Sequence, residues 1–172
     1  TRMGNLRGYR QAFLDARAYG EAWDKAVRDK ADPPARNVDK DTLWGILQGR
    51  FLPQVHCYRS DDMISFLQVA DELGFKVRGF HHTIEAYKIR DVLAEREVSV
   101  STWDDWWGFK LEAWDGVQAN AAMVATAGGR AVIHSDSPIG IQRLNQEAGK
   151  AWRDGAEAGF PVSEDEALRW IT

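Results

Sequence analysis

The composition predicts one globular domain without an obvious surface for nucleic acid or membrane. The chain has 172 residues, is 44% hydrophobic and carries a net charge of -4, which is enough for one sizeable core. Charges of both signs are spread along it, so there is no basic stripe for phosphates or anionic lipids. We therefore expect neither nucleic acid nor membrane as a partner.

The single cysteine, Cys57, has no second cysteine for an internal disulfide. No apolar run approaches the roughly 20 residues of a membrane span, and the beginning of the chain does not resemble a signal peptide. These features indicate a cytoplasmic protein, although a piece of a secreted or periplasmic protein would have the same composition.

The first 50 residues are predicted to form a helical lead-in. Apolar residues approximate a 3.6-residue period from 5 to 28, which favours a long amphipathic helix. Pro33 and Pro34 then interrupt the helical pattern within a polar connector. A short helix over residues 41 to 48 completes this region.

Residues 51 to 160 repeat one theme, a short apolar strand followed by a turn and an amphipathic helix. The predicted strands cover residues 53–58, 76–82, 98–101 and 131–135. The predicted helices cover residues 61–73, 85–95, 116–127 and 140–155. Strict alternation of this kind favours a parallel sheet with right-handed crossovers. Four such units make half of an eight-unit barrel or a small open α/β sheet.

Residues 161 to 172 are predicted to form a closing helix. It begins near Ser163, and Glu166 follows three residues later. This spacing is the signature of a capping box, in which the serine side chain binds the backbone N–H of the glutamate.

The histidines of the sequence all lie at predicted strand ends. His56 ends the first strand, the pair His81 and His82 ends the second, and His134 ends the fourth, two residues before Asp136. In parallel α/β folds the carboxyl ends of the strands converge on the functional site. Imidazole and carboxylate groups are common ligands of zinc and similar ions, so this pattern predicts a metal centre.

Four motifs carry a resemblance to a known family through nearly the whole chain: "VHCYRSDD", "HHTIEAYKIRDVLAE", "WWGFKLEAWDGVQANAA" and "IHSDSPIGIQRLNQEAGKA". In this order they resemble the fifth to eighth strand–helix units of the metal-dependent amidohydrolase superfamily. The nearest branch is that of the imidazolonepropionase-related enzymes. The resemblance implies part of a distorted (β/α)8 TIM-type barrel with one or two divalent metal ions, Zn²⁺ in the first place.

The resemblance also implies roles for individual residues. His56 matches the metal ligand of the fifth strand, and His82 matches the ligand of the sixth. His82 is preferred to His81 because the family ligand immediately precedes a turn that corresponds to residues 83–86 here. Asp136 matches the eighth-strand aspartate, which binds metal and shuttles a proton.

Other parts of the family pattern have no match. The His-x-His pair of the first strand, the bridging lysine of the fourth strand and the small β-domain all lack a counterpart. Tyr58 stands where related sequences often carry a further histidine. We therefore expect the chain to act as part of a larger enzyme, with the missing half of the barrel or a second copy as its partner.

The implied activity is hydrolysis of a carbon–nitrogen bond in a small amide or cyclic amide by metal-activated water. Asp136 would act as general base and then as general acid. His134, as a further catalytic residue, or His81 would orient the ligands or stabilise the oxyanion. The alternative for both is a structural hydrogen bond to a neighbouring loop.

A non-catalytic binding or assembly module is the alternative function. Four tryptophans between residues 103 and 114 would then form its interface: Trp103, Trp106, Trp107 and Trp114. Large aromatic rings of this kind fill a core or a subunit interface more often than they line a substrate pocket.

Overall fold

The computed structural model describes residues 1–106 and 108–172. Within them, the α-helices are α1 (Arg2–Asp29), α2 (Val38–Leu47), α3 (Ser60–Leu73), α4 (Arg90–Glu95), α5 (Asn120–Thr126), α6 (Leu144–Glu157) and α7 (Glu164–Arg169). The strands are β1 (Gln54–His56), β2 (Gly79–His81), β3 (Ser99–Thr102) and β4 (Ala131–Ile133). Turns of 3₁₀ helix cover Ala86–Ile89, Leu111–Ala113 and Gly140–Arg143. None of the described helices is both long enough and apolar enough to span a membrane.

The chain divides into two compact units. The first contains Thr1–Pro53 and Ile64–Val77, and the second contains Gln54–Met63 and Arg78–Thr172. Every histidine belongs to the second unit, so the candidate site can be described within that unit alone.

Aromatic and small residues hold the first unit together. Phe13 of α1 stacks on Phe75 with ring centroids 4.5 Å apart. Gly20 of α1 lies so close to Trp44 of α2 that a Cβ atom there would be 2.2 Å from the indole ring. A larger residue at position 20 would therefore force the two helices apart.

The second unit is built on a parallel sheet, as the sequence predicts. In the described part of the chain the strand order is β1-β2-β3-β4, and all neighbours are parallel. The inward residues of the central strands are apolar, and Phe80 and Val100 are fully buried. Ser101 and Thr102 are at most 9% exposed as well, so consecutive residues of β3 are buried, as is usual for a strand of a parallel sheet that is covered on both faces.

The two edges of the sheet differ. At β4 the Ile133 N–H donates to the carbonyl of Trp170, a residue only 1% exposed, at 2.8 Å. The end of α7 therefore covers this edge. At the other edge Gln54 and His56 are exposed, and among the described residues β1 pairs with β2 alone, which is the kind of strand edge that pairs with other chains.

Three helices begin later than the sequence pattern indicates. The segments expected as helices 85–95 and 140–155 each start with a 3₁₀ turn. The helix expected from residue 116 begins at Asn120, whose side chain is bonded to the neighbouring loops. The predicted cap of the last helix is present, since the Ser163 hydroxyl accepts from the Glu166 N–H at 3.2 Å.

Candidate functional site

The carboxyl ends of the strands bring all four histidines together. His56 and His81 are the last residues of β1 and β2 and pair in register, while His82 and His134 directly follow β2 and β4. The His82 ring lies 4.7 Å from the His56 ring and 5.1 Å from the His134 ring, measured between centroids. The parallel pairing of the strands thus brings four histidines from distant parts of the sequence together in one imidazole cluster.

Two of the predicted metal ligands are in direct contact. His56 Nδ1 and His82 Nε2 lie 2.7 Å apart. On the other side of the ring, His82 Nδ1 lies 3.9 Å from Asp136 Oδ2, which is longer than a hydrogen bond. The structure therefore brings His56, His82 and Asp136 together in a row with His82 in the middle.

Both His82 and Asp136 have left-handed backbone conformations. Their φ angles are 63° and 47°, a region in which histidine and aspartate are enriched among non-glycine residues. These turns place the two side chains immediately after their strands. Backbone strain of this kind persists where surrounding structure holds it, often at functional sites.

Burial favours the neutral form of three of the four imidazoles, those of His81, His82 and His134. Desolvation is the main cause that lowers the pKa of both His81 and His82. Desolvation, followed by the nearby imidazoles of His82 and His81, lowers the pKa of His134 to about 4. At neutral pH these rings therefore keep a nitrogen lone pair, the form in which histidine binds metal.

Two ring nitrogens in the cluster lack a protein partner. His82 Nδ1 and His134 Nε2 are buried and accept or donate no hydrogen bond. Buried polar atoms are normally paired. By contrast, His81 Nε2 lies 3.1 Å from Gln54 Oε1 of the neighbouring strand β1. This distance is that of a structural hydrogen bond.

The predicted ligands are not at mutual coordination distance. In the described part of the chain, the group of three that brings its ligand atoms within 4.8 Å of one another is Asp104, Asp105 and Glu147. His82 presents different nitrogens to His56 and to Asp136, so the three side chains do not aim at one point. Their role as ligands of one ion stays a prediction.

An aromatic wall, consisting of Tyr58, Trp103 and Trp106, stands beside the imidazole cluster. The Trp103 ring stacks on His134 at 4.4 Å and on His82 at 4.9 Å, between centroids. Tyr58 stacks on His82 at 5.2 Å, and Trp106 stacks on Trp103 at 5.3 Å. The wall therefore fixes the planes of the two inner imidazoles.

The tryptophans of the segment have different environments. Trp103 is 3% exposed and its Nε1 donates to the Ser135 carbonyl at 3.2 Å, whereas Trp114 is 70% exposed. Trp107 lies outside the described residues. Trp103 and Trp106 line a cavity of about 240 Å³ together with His134, so part of the segment borders the candidate site.

Two residues that hold the loops around the imidazole cluster by hydrogen bonds could not be predicted from the sequence. The Asn120 side chain accepts from the Tyr87 N–H at 2.8 Å and donates to the Thr83 carbonyl at 2.8 Å and to Thr102 Oγ1 at 3.0 Å. It thereby fixes the turn that follows His82. Nothing in the sequence marks this asparagine, because its partners come from three separate segments.

Glu85 is a second support. Its carboxylate is buried and accepts from the Ser60 N–H at 3.0 Å and from the Ser60 hydroxyl at 2.8 Å. Lys88 Nζ lies 3.3 Å from its other oxygen. The 83–86 turn quoted above contains this residue, but only the structure reveals its partners.

Comparisons with known proteins identify amidohydrolases among its relatives. No family model matches the chain. The chain is 26% identical over 168 residues to amidohydrolase tasK of Hapsidospora irregularis, covering 90% of this chain and 17% of that protein. It also matches the crystal structure of an amidohydrolase from Thermotoga maritima MSB8, with 25% identity and a TM-score of 0.89.

That structural match covers 100% of this chain and 44% of the other. The chain thus spans less than half the length of either relative. Both relatives are described as amidohydrolases, which supports the resemblance to that superfamily.

Proposed function

We propose that the chain forms the fifth to eighth strand–helix units of an amidohydrolase barrel and supplies part of a metal-dependent hydrolase site. The observation that carries the proposal is the direct contact between His56 Nδ1 and His82 Nε2, 2.7 Å, at the carboxyl ends of adjacent parallel strands. The structural match to an amidohydrolase supports the barrel assignment.

The residues fit a zinc-type ion on chemical grounds. The cluster offers neutral imidazoles, and His82 Nδ1 is buried without a partner. Nitrogen and carboxylate ligands are those that zinc prefers. For His56, His82 and Asp136 to hold one ion, the His82 ring and the Asp136 side chain would have to turn toward a common point, because His82 now presents opposite nitrogens to the other two residues. Further ligands would come from other parts of a longer protein. A bound divalent cation would polarise a carbonyl and lower the pKa of water towards about 7.

Asp136 is the proposed proton acceptor. Its side chain is 57% exposed and faces His82 Nδ1, so it can reach solvent while remaining beside the imidazole cluster. It would take a proton from the attacking water and return it to the departing nitrogen. Hydrolysis of the carbon–nitrogen bond needs no oxidant or reductant.

His134 would act as a neutral hydrogen-bonding group. A pKa of about 4 means that it carries no charge at neutral pH, so it cannot serve there as an imidazolium acid. As a neutral ring stacked on Trp103, it can donate one N–H to a developing oxyanion. The stacking fixes the direction of that donor.

The cavity supports a small-molecule substrate. Its volume of about 240 Å³ suits a small amide, its indole rings favour a planar substituent, and Arg143, Glu147 and Lys150 in the same lining favour polar groups on that substrate. The amino-acid composition favours a cytoplasmic enzyme. We also propose that the rest of the barrel, or a second copy of this chain, covers the exposed β1 edge.

The test is Asp136→Asn in the complete enzyme, assayed on a panel of N-acyl amino acids and cyclic amides. Asparagine tolerates the left-handed backbone at this position, so the fold should survive. We expect kcat to fall by about 100-fold or more, because general acid–base catalysis typically contributes that much. Zinc content should be measured on the same material.

Asp115→Asn is the matched control. Asp115 is 53% exposed and pairs with Lys88 at 2.6 Å, outside the imidazole cluster, so this variant should keep its turnover. Equal activity of the Asp136→Asn variant and the unmodified enzyme would overturn the assignment. Zinc-free enzyme with full turnover would exclude the metal role.

A further inference from the structure

A second polar cluster lies between the loop after β3 and helix α6. Asp104 is 2% exposed, and neither of its carboxylate oxygens has a hydrogen-bond partner. One oxygen each of Asp104, Asp105 and Glu147 lies within 4.8 Å of the other two. A carboxylate buried in this way without a partner is rare, because its desolvation is not compensated.

Lys150 compensates only the outer part of this cluster. Its Nζ contacts Asp105 Oδ2 and lies 3.1 Å from Glu147 Oε1. The other oxygen of Glu147, Oε2, is buried and has no partner. Lys150 thus contacts two of the three carboxylates. Three oxygens, two from Asp104 and one from Glu147, remain without a hydrogen-bond partner.

Protonation of Asp104 would not satisfy the cluster. A proton would remove the charge of Asp104 and allow a hydrogen bond to Asp105, which is one of the causes that raise the pKa of Asp104, but Glu147 Oε2 would stay buried and unpaired. A divalent cation would satisfy the oxygens of both residues at once. Groups that contain only carboxylate ligands suit hard cations such as Ca²⁺, Mg²⁺ and Mn²⁺, whereas zinc prefers nitrogen and sulfur.

We propose that Asp104, Asp105 and Glu147 form a Ca²⁺-type cation site next to the imidazole cluster, since Asp105 and Glu147 line the same cavity as His134. Ca²⁺ accepts flexible oxygen ligands at roughly 2.3–2.6 Å and completes its shell with water, and a spacing within 4.8 Å matches that size. The ion would join the loop that carries Trp103 to α6. It would thereby fix the aromatic wall that stacks on His82 and His134.

Terbium luminescence tests the site directly. Tb³⁺ binds at oxygen-rich calcium sites, and Trp103, the residue before Asp104, can sensitise its emission on excitation of the indole. The 172-residue chain should give saturable Tb³⁺ emission that Ca²⁺ displaces. With three protein ligands, we expect a Ca²⁺ dissociation constant of about 10⁻⁴ to 10⁻³ M.

Four variants separate the possibilities. Asp104→Asn should weaken Ca²⁺ binding at least tenfold. The control Asp165→Asn, at an exposed position of α7, should have no effect. His56→Ala should also leave binding unchanged, since His56 belongs to the imidazole cluster. Lys150→Met should tighten binding severalfold, because it removes a competing positive charge.

Circular dichroism on each variant checks the fold, and a Ca²⁺-dependent rise in Tm gives a second measurement. The rise should occur in the unmodified chain and be absent in Asp104→Asn. No saturable emission from the folded chain, or equal affinity in Asp104→Asn, would overturn the proposal. Loss of binding in His56→Ala would overturn it too, because it would place the ion at the histidines.

Discussion

Asp104→Asn should remove most of the loss of stability that the chain shows between about pH 6.5 and pH 8 when divalent cations are removed with a chelator. Burial, followed by the negative charges of Asp154 and Asp105, raises the pKa of Asp104 to about 8. An unfolded aspartate titrates near 3.8. Between these two values the folded chain retains a proton that the unfolded chain has lost.

This difference sets the sign and the size of the effect. Because the folded state binds more protons at Asp104, the contribution of this residue to the free energy of unfolding decreases as pH rises from about 4 to about 8. Below about pH 6.5 the lowered pKa values of His81, His82 and His134 act in the opposite direction, so the Asp104 effect is isolated above that pH. A shift of about four pKa units at about 1.4 kcal/mol each gives an upper limit of roughly 6 kcal/mol. We expect about half of this, because the effective permittivity inside proteins is closer to 20 than to 4. The slope should vanish above pH 8, where both states are ionised.

Urea denaturation at several pH values between 6.5 and 8.5, in the presence of a chelator, measures the effect. The unmodified chain should lose stability across this range, whereas Asp104→Asn should lose much less and be the more stable protein at pH 8. Asp165→Asn should behave like the unmodified chain. A flat profile in the unmodified chain, or the same slope in Asp104→Asn, would refute the view that Asp104 is buried without a partner.

Three further predictions concern packing, polar support and assembly. Gly155→Ala should cost about 1–3 kcal/mol in urea denaturation, because its Cβ would lie 2.2 Å from that of Ala122; Gly149→Ala on the same helix has free space and should not destabilise. Asn120→Ala should cost about 2–4 kcal/mol by the same assay, because it leaves buried groups unpaired, and a cost near zero would contradict the supporting role. Sedimentation velocity should show self-association through the exposed β1 edge, and a stable monomer would count against it.

The sequence predicts most of the second unit because its signals are local. Alternation of apolar strands and amphipathic helices indicates a parallel sheet, and the observed pairings are all parallel. Gly74 and Gly128 lie at positive φ where helices end, a position at which glycine is common. The late start of α5 could not be predicted, since it accompanies Asn120 contacts with distant segments.

The candidate site is predictable only in part. The histidines could be placed at one sheet edge, because parallel strands bring their carboxyl ends together. The partners of individual ring nitrogens could not be predicted, and His82 in fact faces His56 and Asp136 with opposite nitrogens. The burial of Asp104 could not be predicted either. Nothing in the segment "TWDDWW" indicates that one of its aspartates is only 2% exposed.

Crowding four imidazoles at one sheet edge is stable only when most of them are neutral. Burial is the larger penalty for a charge on His81, His82 or His134, and each ring that gained a proton would also repel the others across distances near 5 Å. The lowered pKa values of His81, His82 and His134 follow from this geometry. The same geometry leaves lone pairs available near neutral pH. The arrangement that makes the cluster unfavourable for protons therefore makes it favourable for a metal ion.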